Sequence, residues 1–250
     1  MDHVDLHFHL LPGVDDGPAD LPESLELARA ALAVGTGAIV ATPHVRADLG
    51  PTDAREIHAR VRDLRASLGA ANVPLRVGCG AELGHEMVFR LRQDELDLLA
   101  QGPPGARWLL VEAPFEGIGE DFHAATAELR ARGFGVLVAH PERSADAALD
   151  GAAGLRRELA AGSLAQLNAL SVTGGHGEDA RRSAWELLAD GLVAVVASDA
   201  HGPSRPPALR LAHRTLLEAG VAPATAGALA EAGPRALLTR GIQPGTAVAA

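Results

Sequence analysis

Seven short runs of small and β-branched apolar residues recur along the chain, and stretches with helical periodicity lie between them. The runs occupy residues 4–9, 37–43, 75–82, 108–114, 135–141, 164–170 and 192–200. Most are almost continuously apolar, which is typical of parallel strands buried on both faces. Parallel strands need crossover connections, and helices usually supply them. The alternation therefore predicts an α/β fold in which helices surround a parallel sheet or barrel.

The segment 52–68 shows the helical periodicity clearly. Apolar residues such as Ile57 and Val61 recur at three- and four-residue spacing, and charged residues occupy the opposite face. Thr52 or Asp53 is the expected N-cap.

The chain of 250 residues, of which 47% are apolar, is long enough for one α/β domain with a substantial core. We expect a single domain over 1–250 with a frayed tail at 244–250, since no linker composition divides the sequence. No apolar run reaches the 18 residues of a membrane span. The first residues include Asp2 and Asp5, unlike a signal peptide, so the cytoplasm is the expected location.

Charge and cysteine content exclude several classes of protein. The net charge of −10 argues against nucleic acid or an anionic membrane surface as the main partner. The single cysteine, Cys79, excludes disulfides and thiolate metal clusters. Cysteine-dependent phosphatases carry an arginine six positions after the nucleophile, but that position is His85 here. Cys79 is therefore expected to be buried and inert.

Metal-ligating side chains gather where the predicted strands end. His7 and His9 are two residues apart, so they point to the same face of the first strand. Asp199 and His201 repeat this spacing after the last strand. The residues with this placement are His7, His9, His44, Glu82, Glu112, His140, Asp199 and His201. Because the carboxyl ends of barrel strands form one face, the sequence predicts a metal centre there.

The donor types restrict the metal. Imidazole and carboxylate without thiolate suit Mn²⁺, Fe²⁺ or Zn²⁺ and disfavour Ca²⁺. A single histidine at a strand end is more often a hydrogen-bonded structural residue, but eight donors at equivalent positions favour a metal. Asp15 and Asp16 in "GVDDG" fit helix capping as well as ligation, and the spacing alone does not choose.

The other six histidines lack this placement, and solvated or capping roles are expected for them. His85 and His176 are the two that can approach the metal centre. The six are His3, His58, His85, His123, His176 and His213.

Seven motifs together resemble a known family. In chain order they are "DLHFHLLPGVDDG" (5–17), "ATPH" (41–44), "GAEL" (80–83), "VEAPF" (111–115), "AHPER" (139–143), "QLNALSVTGGHG" (166–177) and "SDAHGPSRPP" (198–207). They resemble the polymerase and histidinol phosphatase (PHP) superfamily of phosphoesterases. The similarity is strongest to its bacterial tyrosine-phosphatase branch of capsule and exopolysaccharide synthesis, the CpsB/CapC-like proteins.

The resemblance implies a distorted seven-stranded (β/α)7 barrel that holds three divalent ions, with Mn²⁺ favoured and Fe or Zn as alternatives. It also implies the ligands, and it places Asp16 rather than Asp15 among them. The first set is His7, His9, Glu82 and Asp199; the second is Glu82 as a bridge, Glu112 and His140; the third is Asp16, His44 and His201.

Three further positions indicate the tyrosine-phosphatase branch of the family. Glu112 stands where other branches generally place a histidine, and Arg143 and Arg205 match basic residues that meet the phosphate. Arg46 is a weaker third candidate for substrate binding. The alternative for each arginine is a surface salt bridge.

The implied activity is hydrolysis of phosphotyrosine by a hydroxide held between two ions, with Arg143 and Arg205 neutralising the phosphoryl oxygens. His201 or a bound water would protonate the phenolate. The chain has no tyrosine, so its substrate must be another protein, such as a bacterial tyrosine kinase of polysaccharide export. Alternatives are another PHP phosphoesterase, acting on histidinol phosphate, a sugar phosphate or an oligonucleotide, and a non-catalytic metal-binding regulatory subunit. The acidic and basic residues of 21–29 leave homo-oligomerisation open.

Overall fold

The computed structural model describes residues 3–49, 53–145, 147 and 151–245. Thr52, one of the two expected caps, and most of the expected frayed tail lie outside the described residues.

Nine strands are present in the described part of the chain, and all paired strands run parallel. They are β1 (His3–Phe8), β2 (Thr36–Ala41), β3 (His44–Val45), β4 (Arg76–Cys79), β5 (Glu82–Leu83), β6 (Trp108–Glu112), β7 (Gly135–Ala139), β8 (Leu164–Asn168) and β9 (Val195–Ala197). The third predicted strand, 75–82, is divided into β4 and β5. The second, 37–43, is observed as β2, which ends before Pro43, because proline has no N–H to donate to a ladder. The short strand β3 follows Pro43 and lies outside the predicted run.

The strands form two sheets, with the orders β1-β2-β4 and β3-β5-β6-β7-β8-β9. Backbone hydrogen bonds continue between the two sheets, in the segment that links β2 to β3: the Thr42 N–H donates to the Phe8 carbonyl at 3.0 Å, and the Glu82 N–H donates to the Pro43 carbonyl at 3.0 Å. A parallel bridge pairs Phe8 with Ala200, which follows β9. The predicted α/β fold with parallel strands is confirmed, whereas one continuous seven-stranded ladder is not.

Helices connect the strands. They are α1 (Leu21–Ala33), α2 (Ala54–Ala70), α3 (Gln93–Leu99), α4 (Glu120–Ala131), α5 (Ala153–Ala160), α6 (Ala169–Thr173), α7 (Glu178–Ala189), α8 (Leu209–Glu218), α9 (Pro223–Gly227) and α10 (Gly233–Arg240). Short 3₁₀ turns cover Ala47–Leu49, His85–Met87 and Pro141–Arg143, and a π-helical turn covers Ala228–Ala232. No helix in the described ranges has the length and apolar character needed to cross a membrane.

The helix predicted over 52–68 is α2. Asp53 caps it, since its carboxylate accepts the Arg55 N–H at 2.8 Å. Ile57 and Val61 are almost fully buried against the sheet. Burial of this predicted apolar face is favourable and offsets the side-chain entropy that is lost when the helix packs.

The apolar core has two parts. The larger lies mainly between the helices and the strands. The smaller is formed by residues of β1, β2, β6, β7 and β9 with the C-terminal helix α10, and includes Leu6, Trp108 and Leu237. The Trp108 indole donates to the Leu237 carbonyl at 2.9 Å, so its buried N–H is satisfied. The carboxyl ends of the strands are held by this packing, and the polar residues lie there.

Candidate metal centre

Four side chains from three distant parts of the chain meet at the carboxyl ends of the strands. His7 is in β1, His9 follows it, Glu82 begins β5, and Asp199 follows β9. The Nε2 atoms of His7 and His9 lie 3.1 Å apart. Glu82 Oε2 lies 3.1 Å from His7 Nε2 and 3.3 Å from His9 Nε2. Asp199 Oδ1 lies 3.3 and 3.4 Å from the same two nitrogens.

Hydrogen bonds on the far side of each ring fix its tautomer. His7 Nδ1 lies 3.0 Å from Gln166 Oε1, and the Gln166 amide nitrogen donates to the Leu167 carbonyl at 2.6 Å. His9 Nδ1 lies 2.7 Å from Asp15 Oδ2. Since both partners are acceptors, both Nδ1 atoms carry the proton and both Nε2 atoms present lone pairs.

When both rings are neutral, four electron-pair donors therefore face one another with no hydrogen between them. Their five known separations, 3.1 to 3.4 Å, match the edges of a tetrahedron whose centre lies about 2 Å from each corner, the usual Zn–N or Zn–O bond length. In the absence of a cation, lone pairs at this spacing repel one another. The residues thus fit a bound divalent ion.

A second group lies beside the first and shares His9. Its other members are Asp16, His44 and His201, and all four donors lie within 4.8 Å of one another. Asp16 Oδ1 is 3.1 Å from His201 Nε2 and 3.5 Å from His44 Nε2. His201 Nδ1–H donates to the Asp199 carbonyl at 2.8 Å, so its Nε2 also presents a lone pair.

A third group contains Glu82, Glu112 and His44. His140 does not complete this compact set, although its Nε2 lies 2.9 Å from Glu82 Oε1. Glu82 is fully buried and contacts all four neighbouring imidazoles, those of His7, His9, His44 and His140. Glu82 thus lies at the centre of the cluster.

Electrostatics in the cluster favour bound positive charge. Burial opposes charge on His7, but the Glu82 and Asp199 carboxylates outweigh it and raise the pKa of His7 to about 9. Burial and then the Glu82 carboxylate raise the pKa of Glu112. A proton and a cation therefore compete for the same donor atoms.

Two ligand candidates have left-handed backbone conformations that are unusual for residues with side chains. His140 has φ of 33° and Asp199 has φ of 49°. Such strain persists where surrounding contacts over-determine it, and functional sites are common examples. Asn168 Nδ2, for instance, donates to Asp199 Oδ2 at 2.9 Å.

Three supporting residues were not assigned from the sequence. Asp15 orients His9 and also accepts the backbone N–H groups of His44 at 2.9 Å and Gly17 at 3.0 Å. Gln166 and Asn168 support His7 and Asp199. The last two lie two residues apart on β8, a spacing that places them on one face of the strand and is the signal that sequence reasoning had available.

The capping alternative for Asp15 and Asp16 is wrong. Asp20 is the cap of α1, and its carboxylate accepts the Glu23 N–H at 3.0 Å. Asp15 and Asp16 instead occupy the loop that approaches His9 and His201. The first residue of the helix, Leu21, is six residues after Asp15, which is too far for that side chain to cap it.

Three arginines surround the cluster. Arg143 Nη1 lies 3.4 Å from Asp199 Oδ2, Arg205 bonds Asp16, and Arg46 Nη1 donates to Glu112 Oε2 at 3.0 Å. Each pairs with a carboxylate of the cluster, and the Arg205–Asp16 pair is exposed to solvent. They line a cavity of about 360 Å³ together with Asp16, His44, Glu82, Glu112, Phe115, His140, His176 and Asp199.

Phe115 and His176 border this cavity. The Arg143 guanidinium lies 4.9 Å from the Phe115 ring centroid, and the Phe115 ring is 46% exposed. His176 Nδ1 lies 3.1 Å from Ser171 Oγ. Burial, and then the Arg143 charge, lower the pKa of His176 to about 4, so it is neutral at pH 7. His176, one of the two histidines that the sequence places near the metal centre, thus lines the cavity.

The expectation of solvated or capping roles is wrong for two other histidines. His123 is buried and lies 2.6 Å from Glu158, which also accepts from Thr126 and Arg130. His3 is buried at the start of β1. Their partners are distant in sequence, so periodicity gave no sign of them.

Cys79 is half-buried outside the cluster, and burial raises the pKa of its thiol to about 11. The thiol is therefore protonated at pH 7, consistent with the expected inert role.

Known proteins are similar to this chain in sequence. Tyrosine-protein phosphatase YwqE of Bacillus subtilis is 28% identical over 198 residues, which cover 79% of this chain and 77% of that protein. Putative tyrosine-protein phosphatase CapC of Staphylococcus aureus is 28% identical over 206 residues, covering 82% and 79%. Tyrosine-protein phosphatase CpsB of Streptococcus pneumoniae is 27% identical over 218 residues, covering 84% and 88%.

Solved structures are also similar to this chain. A crystal structure from the pair YwqE of Bacillus subtilis and CpsB of Streptococcus pneumoniae, described as unique metal-dependent tyrosine phosphatases, matches with a TM-score of 0.79 and 25% identity, over 99% of this chain and 100% of that one. The phosphotriesterase homology protein of Escherichia coli has the same fold, with a TM-score of 0.60 and 14% identity over 93% and 97% of the two chains.

The family model for capsular polysaccharide synthesis, CpsB/CapC, matches residues 3–236. Since this match covers nearly the whole sequence, the chain belongs to the CpsB/CapC family.

Proposed function

We propose that this chain is a metal-dependent protein-tyrosine phosphatase that hydrolyses phosphotyrosine in another protein. The observation that carries the proposal is the tetrahedral spacing of lone-pair donors around His7 and His9, beside a cavity lined by Arg143 and Arg205. The relatives named as tyrosine-protein phosphatases support the same activity.

Three divalent ions fit the donors, with Mn²⁺ first and Fe or Zn as alternatives. When bound, such ions supply an ionised water as nucleophile and neutralise phosphoryl charge. The proposed ligands are His7, His9, Glu82 and Asp199 for the first, Glu82, Glu112 and His140 for the second, and Asp16, His44 and His201 for the third. His44 is close enough to Glu82 and Glu112 to join the second set. We also propose that the two sheets are arcs of one interrupted barrel, since backbone hydrogen bonds and the Phe8–Ala200 bridge connect β1 of one sheet to the segment that follows β9 of the other.

Arg143 and Arg205 are proposed to hold the phosphate. A guanidinium has five N–H donors in a planar fork, so an arginine that meets a carboxylate through one nitrogen can still present others to the cavity. Arg143 contacts Asp199 through Nη1, and Arg205 contacts Asp16 through Nη2. Charge-assisted hydrogen bonds to non-bridging oxygens would strengthen as charge develops there. Arg46 is engaged with both Asp48 and Glu112, which fits a supporting role better.

Phe115 is proposed to receive the phenyl ring of phosphotyrosine. Its side chain is exposed at the cavity edge, and its plane is nearly parallel to that of His140, at 9°. Arg143 lies against the ring. An aromatic substrate that packs on Phe115 would therefore bring its phosphate to the guanidinium.

His201 is assigned to ion binding rather than to proton transfer. Its Nδ1–H donates to the Asp199 carbonyl, and its Nε2 faces Asp16. A phenolate leaving group has an ordinary pKa of about 10 and departs without a strong acid. This favours phosphotyrosine over alkyl phosphates such as histidinol phosphate.

The substrate is proposed to be a tyrosine kinase of polysaccharide export. The chain contains no tyrosine of its own, so the phosphorylated residue belongs to another protein. The family's role in capsular polysaccharide synthesis supports this class of partner.

The test compares substrates. Protein stripped with chelator and reloaded with Mn²⁺ should release phosphate from a phosphotyrosine peptide much faster than from a phosphoserine peptide or histidinol phosphate. Faster turnover of histidinol phosphate would transfer the assignment to another phosphoesterase activity. Absence of metal-dependent release from every substrate would favour a non-catalytic regulatory subunit.

A further inference from the structure

We propose a separate zinc site, distinct from the candidate metal centre, formed by His3, His213 and Glu231. We call it the distal site. One donor atom from each of the three residues lies within 4.8 Å of the others. They come from β1, from α8 and from the π-helical turn Ala228–Ala232.

The distal site lies at the opposite end of β1 from the candidate metal centre. His3 is the first residue of the strand, and His9 follows its last residue. At about 3.3 Å per residue the two histidines are about 20 Å apart along the strand. An ion at the distal site would therefore not share ligands with the cluster around Glu82.

His3 has the features of a preorganised ligand. Its Nδ1 lies 3.2 Å from the Ala230 carbonyl, an acceptor, so Nδ1 carries the proton and Nε2 presents a lone pair. Metal-bound histidines usually donate their second ring N–H to such a carbonyl.

The other two residues are placed to close around an ion. His213 Nδ1 lies 3.6 Å from Glu231 Oε1, close to the donor separation of about 3.4 Å in a tetrahedral zinc site. The His3 and His213 ring centroids are 5.7 Å apart. The His213 and Glu231 side chains are 18% and 30% exposed, so they can adjust and admit a water as fourth ligand.

The donor set selects the metal. Two imidazoles, one carboxylate and an open position form a common zinc environment. The single carboxylate neutralises one of the two positive charges of a divalent ion. Water at the exposed fourth ligand position solvates the charge that remains. The π-helical turn places the Ala230 carbonyl against His3 and Glu231 beside His213, and such turns are frequently found at functional sites.

The consequence is a link between the two ends of the sequence. His3 and Ala230 are 227 residues apart, and an ion that binds only the folded chain stabilises it by an amount that grows with the logarithm of the free ion concentration above Kd. We therefore assign the distal site a stabilising role rather than a catalytic one.

The experiment measures zinc content and thermal unfolding of the full chain. Wild type, His213→Ala and Glu231→Gln are equilibrated with the same buffered free Zn²⁺, and bound zinc per chain is measured by elemental analysis. His58→Ala is the matched control, because His58 is exposed on α2 and bonds only a backbone carbonyl among its described contacts. We expect both variants to bind one zinc fewer than wild type and the control to bind the same number.

Unfolding gives an independent measure. At Zn²⁺ one hundredfold above Kd, the Tm of wild type should rise by about 5 °C more than that of either variant. Phosphatase turnover with Mn²⁺ should be unchanged in His213→Ala, so failure of the distal site is distinguishable from failure of the proposed function. Equal zinc content and equal Tm shifts in wild type and both variants would overturn the distal site.

Discussion

Replacement of Asp15 by asparagine tests whether a residue outside the proposed ligand sets controls metal affinity. Asp15 Oδ2 accepts both His9 Nδ1–H and the His44 N–H, while Oδ1 accepts the Gly17 N–H. An asparagine of the same shape has only one oxygen. In one amide orientation its NH₂ faces the Gly17 N–H, and a donor is left unpaired. In the other, the NH₂ faces His9 and moves the ring proton to Nε2, the proposed ligand atom.

The magnitude follows from these contacts. Loss of a hydrogen-bonded partner that orients a metal-bound histidine typically weakens metal binding 10- to 100-fold, or about 1.4 to 2.7 kcal/mol. Either orientation also leaves a partly buried backbone N–H unsatisfied, that of Gly17 in the first and that of His44 in the second, at about 1 to 3 kcal/mol of folding free energy. His9 is a proposed ligand of the first ion, so Asp15→Asn should weaken binding of that ion.

The assay is competition for Mn²⁺ with a chelator of known affinity, followed by turnover at saturating Mn²⁺. Asp20→Asn is the matched control, since Asp20 lies in the same loop and caps α1, a position where asparagine serves as well as aspartate. We expect weaker Mn²⁺ binding in Asp15→Asn alone, with turnover largely recovered at high Mn²⁺. Equal Mn²⁺ affinities in the two variants and wild type would refute the reasoning.

Four further outcomes are expected. His7→Ala should lose both bound metal and activity, and full turnover in this variant would contradict its role as a ligand. Arg143→Ala should keep its metal content, measured by elemental analysis, while kcat/KM on phosphotyrosine peptide falls about 100- to 1,000-fold; loss of metal would show a ligand-supporting role instead. Phe115→Ala should raise KM for phosphotyrosine peptide more than KM for a non-aromatic phosphate monoester, and equal changes would remove the aromatic contact. Metal-free protein should lose stability as pH rises from about 6.5 through about 9, because the raised pKa of His7 stabilises the fold only while the ring is protonated. Mn²⁺-loaded protein should lack this decline, and parallel Tm curves for the two forms between pH 6.5 and 9.5 would contradict it.

The sequence predicted the donors well because strand geometry determines where they go. His7 and His9 share a face through the two-residue period of a strand, and Glu112 and His140 lie where neighbouring parallel strands end. These are local rules, so they needed no knowledge of tertiary contacts. The structure brings all four into one cluster.

The supporting contacts could not be predicted in the same way. Asp15 and Gln166 act on histidines 6 and 159 residues away. The spacing of Gln166 and Asn168 places them on one face of a strand, but it does not say which histidine or carboxylate they contact. The buried pair His123–Glu158 also depends on contact between two helices. The strand β3 was missed for a different reason: its two residues, His44 and Val45, are too few to form a recognisable apolar run.

The junction between β1 and the end of β9 has few backbone hydrogen bonds, which gives the proposed ions a second, structural role. Backbone hydrogen bonds cross it from Asp199 to His7 and from His9 to Ala200, and the buried Asp5 carboxylate replaces part of a ladder by accepting the Ser198 N–H at 3.1 Å. His7 and Asp199 lie on opposite sides of this junction. A cation bound by both residues would link β1 to the segment after β9, so the ligand bonds that prepare the reaction would also stabilise the contact between the first and last strands.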